Sequence, residues 1–519
     1  MGSTFFGLET AKRGMYAQQS ALYATGHNIS NANTPGYTRQ RVDFVQTSPY
    51  PNPGLNKPGI PGQMGTGVAA GSITRVRDRF IDVQLRTQNT NLGYYGGLRE
   101  SLVKLEEIMN EPSTSGLHSV MEKFWNSLQT LANNTENSGA RDVVASAGQM
   151  VADTFNYYYN SLTGVQKDLG TQIGVTIKEV NDTLNSINQL NKQIAAVEPF
   201  GMLPNDLYDA RDTLVDKLSG LINIKVERVV PDNYGNVDRA KAEGLYQIKL
   251  LGADGTAKAN LLEVDKTTGV LSTPNTFTIE PEPLTGPLTK IKVGGQTFTG
   301  EGMNFSGGLS ALIQSYGYTD GAVTKGKYPE MIDKINKMAE AFAKEFNALH
   351  ANGYELGGIK PSGTDFFEIG NPPAQSIKVR DEIKKDPAKI AAGGDSGASG
   401  DNTNAQNLAD IKTKAFASYS IYSGGKVSDG LNGNLDSYYS GMIGSLGVES
   451  QSAYQDFSNA TAIAASIEER RQSVSSVSLD EEMINMIKFQ HAYNASARNI
   501  TVVDEMLDKI INGMGVVGR

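Results

Sequence analysis

The chain has 519 residues, of which 39% are hydrophobic and 20% charged, with a formal net charge of −9. This length exceeds what one hydrophobic core supports and predicts several domains, while the acidic balance and the lack of a basic block argue against a partner held through nucleic-acid phosphates. Cysteine is absent, which excludes disulfides, thiolate metal sites and a cysteine nucleophile.

The first element is a seam. Leu8, Met15, Leu22 and Ile29 recur every seven residues, with Phe5 and Ala11 beside them and Lys12, Gln18 and Gln19 on the other face. That spacing places the apolar residues on one stripe of a helix, as in a coiled coil. Residues 1–6 show no basic region followed by an apolar stretch, so no Sec-type signal is expected. Residues 48–67 carry Pro49, Pro51, Pro53, Pro58 and Pro61, and proline's fixed φ and missing N–H predict an extended or turning loop.

Helical spacing resumes at Leu92, Tyr95, Leu98, Leu102, Leu105 and Met109, stops at Pro112, and returns through Val120, Phe124, Leu128 and Leu131. It is longest over 141–197, where Ile173, Ile177, Val180, Leu184, Ile187, Leu190, Ile194 and Val197 alternate steps of three and four. Unbroken, that helix spans ~85 Å at ~1.5 Å per residue; Gly164, Gly170 and Gly174 are its weak points. The period then changes to two, in Ile222, Ile224 and Val226 and in Tyr246, Ile248 and Leu250, with turns at Asp254-Gly255 and Gly294-Gly295. This predicts a small all-β domain over 222–300.

Helices return over 309–316 and over 329–352, where Met331, Ile335, Met338, Phe342, Phe346 and Leu349 form a stripe. Residues 393–404 are rich in Gly, Ser, Asp and Asn and predict a loop. In the last helical region, 436–513, Leu479, Met486, Tyr493, Ile500, Leu507 and Met514 recur every seven residues, with Phe489, Val503 and Ile510 three positions on from members of that row. Two seam helices can bury each other's stripes and bring the chain ends together.

The expected fold is multidomain and mainly α with an inserted all-β domain. Residues 1–78 with 470–519 form a paired, coiled-coil-like terminal domain, 79–221 with 301–469 an elongated helical rod domain, and 222–300 a peripheral β domain.

Chemistry is sparse. None of His27, His118, His350 and His491 has a second ligand at helical metal spacing, and no GxSxG elbow or GxxxxGK[ST] loop occurs. Residues 65–71 are glycine-rich, but a proline-rich loop precedes them where a dinucleotide fold needs a strand. Asp232 to Asn236 lack the spaced carboxylates of a calcium loop and read as a turn. The pairs Glu106/Glu107 and Glu481/Glu482 read as solvated helix faces. No catalytic, metal or cofactor site is expected, and the chain does not read as an enzyme.

The string His27-Asn28-Ile29-Ser30-Asn31-Ala32-Asn33-Thr34-Pro35-Gly36-Tyr37 resembles the N-terminal signature of the flagellar rod, hook and hook-associated family. Physically, a seam helix ends, Pro-Gly turns the chain and an extended arm begins. The continuation Thr38-Arg39-Gln40-Arg41-Val42 is similar to the hook-filament junction members of that family more than to its hook or rod subunits. Further similar segments are Gly65 to Val68 with Ile73, Arg75, Asp78, Phe80 and Gln84, residues 204–212, 347–354, 365–367 and 400–405, and the C-terminus from Val477 to Leu507. Tyr208 and Ala210 stand where the family has Leu and Gln, and 222–300 has no match.

The resemblance implies a structural component of the bacterial flagellum, an extracellular adapter between hook and filament. It would leave through the flagellar type III apparatus without a cleaved signal peptide and assemble as a ring at the hook tip. The implied partners are identical subunits, the hook protein, a second hook-associated protein on the filament side, and an export chaperone at the C-terminal helix, with no nucleic acid, membrane or cofactor. The implied assembly interface is Leu8, Met15, Leu22, Asn28, Ile29, Asn31, Asn33, Thr34, Pro35, Gly36, Tyr37, Arg39 and Gln40, with Leu479, Met486, Tyr493, Ile500, Val503 and Leu507. The alternatives are a hook or distal rod subunit, or a flagellar scaffold carrying adhesive or enzymatic activity in its β domain.

Overall fold

The computed structural model describes residues 5–51, 54, 62–109, 111, 113, 114, 116–235, 238–282, 284–361, 365–394, 398, 400–415 and 433–513. Met514 and Pro53, Pro58, Pro61, Pro112 and Asn236 of the sequence reading lie outside them. Helix α1 (Phe5–Ser30) leads to strands β1 (Gln40–Gln46) and β2 (Val68–Arg75), then to α2 (Arg79–Met109), α3 (Leu117–Asn133), α4 (Ser138–Val197) and α5 (Asn205–Leu221). Strands β3 (Ile224–Val229), β4 (Leu245–Leu251), β5 (Ala257–Leu262), β6 (Phe277–Glu280), β7 (Lys290–Val293) and β8 (Gln296–Thr299) follow. Next come α6 (Gly307–Tyr316), the hairpin β9 (Tyr318–Asp320) and β10 (Val323–Lys325), and α7 (Lys327–Asn352). Short pieces β11 (Phe367–Glu368), α8 (Pro373–Ser376), β12 (Lys378–Val379), α9 (Asp381–Lys385) and α10 (Thr403–Ala409) precede the final helices α11 (Leu435–Ser475) and α12 (Leu479–Gly513).

These elements fall into two compact units. One comprises Met1–Thr90, Glu179–Thr276 and Thr461–Arg519; the other comprises Asn91–Lys178 and Phe277–Ala460. In the first, Leu245 of the antiparallel sheet β3-β4-β5 and Val264, just after β5, pack on Ile194 of α4 and Tyr208 of α5. In the second, α3, α7 and β11 meet in an aromatic core of Phe124, Phe342, Phe346, Phe366 and Phe367. Trp125 packs edge-on against Phe342 there.

The strands of 222–300 are correctly read as strands, but they form two three-stranded sheets, β3-β4-β5 and β6-β7-β8, placed in different units. Period two reports that one face of a strand is covered without reporting by what. Here β6 lays Phe277 against Phe305 of the second unit, while β4 meets α4 and α5 of the first. Helix α4 runs unbroken over 60 residues. Gly170 does not interrupt it: a Cβ there would sit 2.9 Å from the Tyr316 ring, so glycine admits a close neighbour.

Removing a ring from the aromatic core leaves a cavity. Phe346→Ala, at a fully buried position, is expected to destabilise the second unit by about 3–5 kcal/mol. Trp125 is the chain's one tryptophan, so its fluorescence in a denaturant titration measures that loss directly.

Candidate assembly surface and its elbow

Helices α1 and α12 lie antiparallel. Gly7 faces Val503, a Cβ at Gly14 would stand 3.2 Å from Ser496 Oγ, Phe489 packs on Ala21, Ala24 and Val42, and Asn28 reaches Glu482. The buried residues of α1 are Ala11, Ala17, Ala21, Ala24, Thr25 and Asn28. The inner seam is therefore a row of small residues, with Gly7, Gly14, Ala21 and Asn28 each one position before the expected Leu8, Met15, Leu22 and Ile29. Small side chains let two backbones approach closely, a signal that a search for large apolar residues passes over. Leu8, Met15, Leu22 and Ile29 flank the contact and stay half-buried, as do Met486, Tyr493, Ile500 and Leu507; Val503, opposite Gly7, is half-buried within it, and Leu479 is exposed.

The pair keeps a second apolar face in solvent. Met483, Ile484, Ile487, Val502 and Met506 are all about half exposed or more, with Ile487 at 55%. These exposed apolar side chains form two groups along α12, with exposed His491, Asn494 and Arg498 between them, and apolar surface of this kind marks an interaction face.

Between α1 and β1 the chain turns through Asn31 to Tyr37. Asn31 Nδ2 donates to the His27 carbonyl (3.1 Å) and Thr34 Oγ1 to Asn31 Oδ1 (3.1 Å). Asn33, Thr34, Pro35 and Gly36 are exposed. Gly36 has φ +79°, and a Cβ there would collide with Thr213 Oγ1, so glycine is required twice over.

Asn28, 1% exposed, is the hub of this elbow. Its Nδ2 donates to the Gln40 carbonyl (2.8 Å) and to Glu482 Oε2 (3.1 Å). Its Oδ1 accepts from Gln40 N (2.9 Å) and from the Tyr37 hydroxyl (2.8 Å). Burial, together with the carboxylates of Asp206, Asp209 and Glu482, pushes the Tyr37 phenol well above its usual range, so it remains a donor. Arg39 pairs with Glu482 Oε1 and Glu481 Oε2, both at 2.8 Å, and Gln40 Nε2 donates to Asp206 Oδ1 (3.0 Å). Glu482, 2% exposed, corrects the solvated-face reading of that pair: helical periodicity does not reveal that an arm folds over one end of a helix.

Behind the elbow, α5 presents Asp209, Asp212 and Asp216 to guanidinium groups from four segments. Arg75 of β2 holds Asp209 (2.7 Å) and Asp212 (2.9 Å), Arg77 lies 3.0 Å from Asp212, Arg86 of α2 bridges Asp212 (3.0 Å) and Asp216 (2.8 Å), and Arg471 of α11 reaches Asp216 (2.7 Å). Burial acts to raise the Asp212 carboxyl, but Arg77, Arg75, Arg86 and Arg211 outweigh it and hold the group far below the usual carboxylate range. Among the described residues no three His, Cys, Asp or Glu side chains gather as a metal site. The cluster ties β2, the segment after it, α2 and α11 to one face of α5.

The segments that build the two-helix end and its elbow are those that match flagellar rod families, which places the chain among the proteins of the bacterial flagellum. Residues 8–38 match the flagella basal body rod protein model and 470–513 the C-terminal model of the flagellar basal body rod FlgEFG proteins. Residues 102–367 match the helical domain of flagellar hook-associated protein FlgK, half of the chain. The chain is 44% identical to flagellar hook-associated protein 1 of Bacillus subtilis over the full length of both, and 26% identical to that of Escherichia coli over 97% of this chain and 99% of the other. The structure resembles the flagellar hook junction protein FlgK of Burkholderia pseudomallei with TM-score 0.56 at 15% identity, covering 76% of this chain and all of that one. The chain belongs to the hook-associated protein 1 family and is a structural component of the bacterial flagellum.

The depressed Asp212 carboxyl makes the first unit acid-sensitive in a defined direction. Its contribution is fully present above the unfolded value, about 4, and is lost as pH falls below that. Amide exchange in β4 is expected to accelerate as pH falls from about 5 to about 2, after correction for intrinsic rates. Asp212→Asn should weaken β4 protection at pH 7, by about 3–5 kcal/mol as for other broken buried pairs, and flatten the acid dependence.

Proposed function

We propose that the chain is the adapter joining hook to filament, assembled as a ring of identical subunits at the hook tip. The observation that carries this reading is the exposed apolar face of the α1–α12 pair on a chain of this family. That face needs cover, and copies of the same pair around a tube supply it. In this reading Leu8, Met15, Leu22, Ile29, Met486, Tyr493, Ile500 and Leu507 extend the contact from its flanks, with Val503 inside it opposite Gly7. Asn28, Asn31, Tyr37, Arg39 and Gln40 hold the elbow that sets subunit register, and Asn33, Thr34, Pro35 and Gly36 present its outer edge.

The hook protein would lie on one side and a second hook-associated protein on the other. Export would proceed unfolded through the flagellar type III apparatus without a cleaved signal, with a chaperone covering the apolar stripe of α12 beforehand. The residues 1–78 with 470–519 would line the inner tube, with the helical segments outside them. Joining two tubes requires complementary surfaces and no covalent step, consistent with a structural role.

The test is Ile487→Asp, expressed as the sole copy in a strain lacking the gene. Because Ile487 is 55% exposed, the purified variant should keep the parent's thermal stability. In cells it should leave bare hooks and filament subunits in the medium, because an unpaired carboxylate in a closed apolar contact costs several kcal/mol. Normal filaments would contradict the reading.

A further inference from the structure

Helices α11 and α12 are separated by residues 476–478, so the C-terminal arm contains a joint. Each side of that joint is anchored independently. The end of α11 is tied to α5 by Arg471 and Asp216 (2.7 Å), and α12 lies along α1. The joint itself is crossed by Arg39, which comes from the opposite end of the chain.

Arg39 makes three kinds of bond there. Its backbone N–H donates to the Ser475 carbonyl (2.9 Å), one of the carbonyls that a helix end leaves without an intrahelical partner. Its Nε and Nη1 meet Glu482 and Glu481 (2.8 Å each) in the first turn of α12, where acidic side chains complement the helix dipole. Its own carbonyl accepts from Val76 N (2.8 Å), which fixes the arm that carries it. Ser478 caps α12 weakly from within, its Oγ 3.4 Å from Glu481 N. No bond of the 476–478 segment itself spans the two helices as Arg39 does.

We propose that Arg39 is a positioning residue that sets the α11–α12 bend, and with it the direction in which the terminal helix pair leaves α5. The N-terminal arm thereby controls the geometry of the C-terminal helix, and the bend is defined only when both chain ends are docked. Lysine is a poor substitute, because its ammonium is a point charge on a flexible stem and lacks the rigid planar fork with which a guanidinium fixes the directions of two carboxylates. This inference concerns the single chain and does not depend on its place in the flagellum.

The chain has no cysteine, so two labels can be placed cleanly at the exposed positions Glu469→Cys and His491→Cys. The spin-label distance distribution across the joint is expected to be narrow in the otherwise unaltered chain, broad in Arg39→Ala and intermediate in Arg39→Lys. It should stay broad in Arg39→Ala/Glu482→Gln, which removes the orphaned charge without restoring the bridge. Amide exchange at the start of α12 should rise about ten- to a hundredfold in Arg39→Ala, as expected for losing hydrogen bonds to a charged group, with β3–β5 unchanged. A broad distribution before substitution, a narrow one in Arg39→Ala or in the double variant, or an equal rise of exchange across β3–β5 would overturn the proposal.

Discussion

Glu482 loses its water when α12 docks on α1, and the end of the chain is arranged around that one buried carboxylate. A charge taken out of solvent must be paired and hydrogen-bonded or it destabilises whatever buries it. Both of its side-chain partners, Asn28 and Arg39, come from the other terminus. Docking the C-terminal helix without the elbow is therefore unfavourable, and the elbow without the helix leaves Arg39 without its two carboxylates. The small-residue seam supplies close packing for the pair; the polar hub supplies register, because a shift along the seam strands a charge.

The same logic extends into α5. Its acidic face draws in arginines from β2, from the segment after it, from α2 and from α11, so that pieces far apart in sequence share one set of buried charges. Ionic clusters of this kind contribute little net stability relative to apolar packing, yet breaking one is costly. They serve to specify an arrangement. Under the proposed junction role, a defined direction of chain is the property required, and Asp212, Arg39 and Asn28 are the groups that would supply it.

Much of this was legible in the residues. The long helix, the strands after Ile222, the paired ends and the Pro-Gly elbow all followed from periodicity and turn chemistry. The string from His27 to Tyr37 pointed to the family that the full-length relatives establish. What stayed hidden had physical reasons. Gly7, Gly14 and Ala21 lie one residue from a louder row of Leu and Met, and a hydrophobic pattern weights size over proximity. Glu482 looked solvated because its cover comes from residue 39. The six strands looked like one domain because alternation does not say which helix lies beneath. Ser478 before Leu479-Asp480-Glu481 is a helix-start signal that marks the α11–α12 break, and it was available without the structure.

The pairing of the two ends carries the whole account, and it can be trapped chemically where the protein works. A Cβ built on Gly14 lies 4.0 Å from that of Ser496, within the range a disulfide spans. The chain supplies no competing thiol. Cells carrying Gly14→Cys/Ser496→Cys as their only copy would be oxidised, and the protein recovered from their isolated flagella run on a denaturing gel without reductant. The account predicts an intrachain bond, seen as a faster-migrating monomer, in flagella that retain their filaments. Bonding between chains, or free thiols in fully assembled flagella, would contradict it.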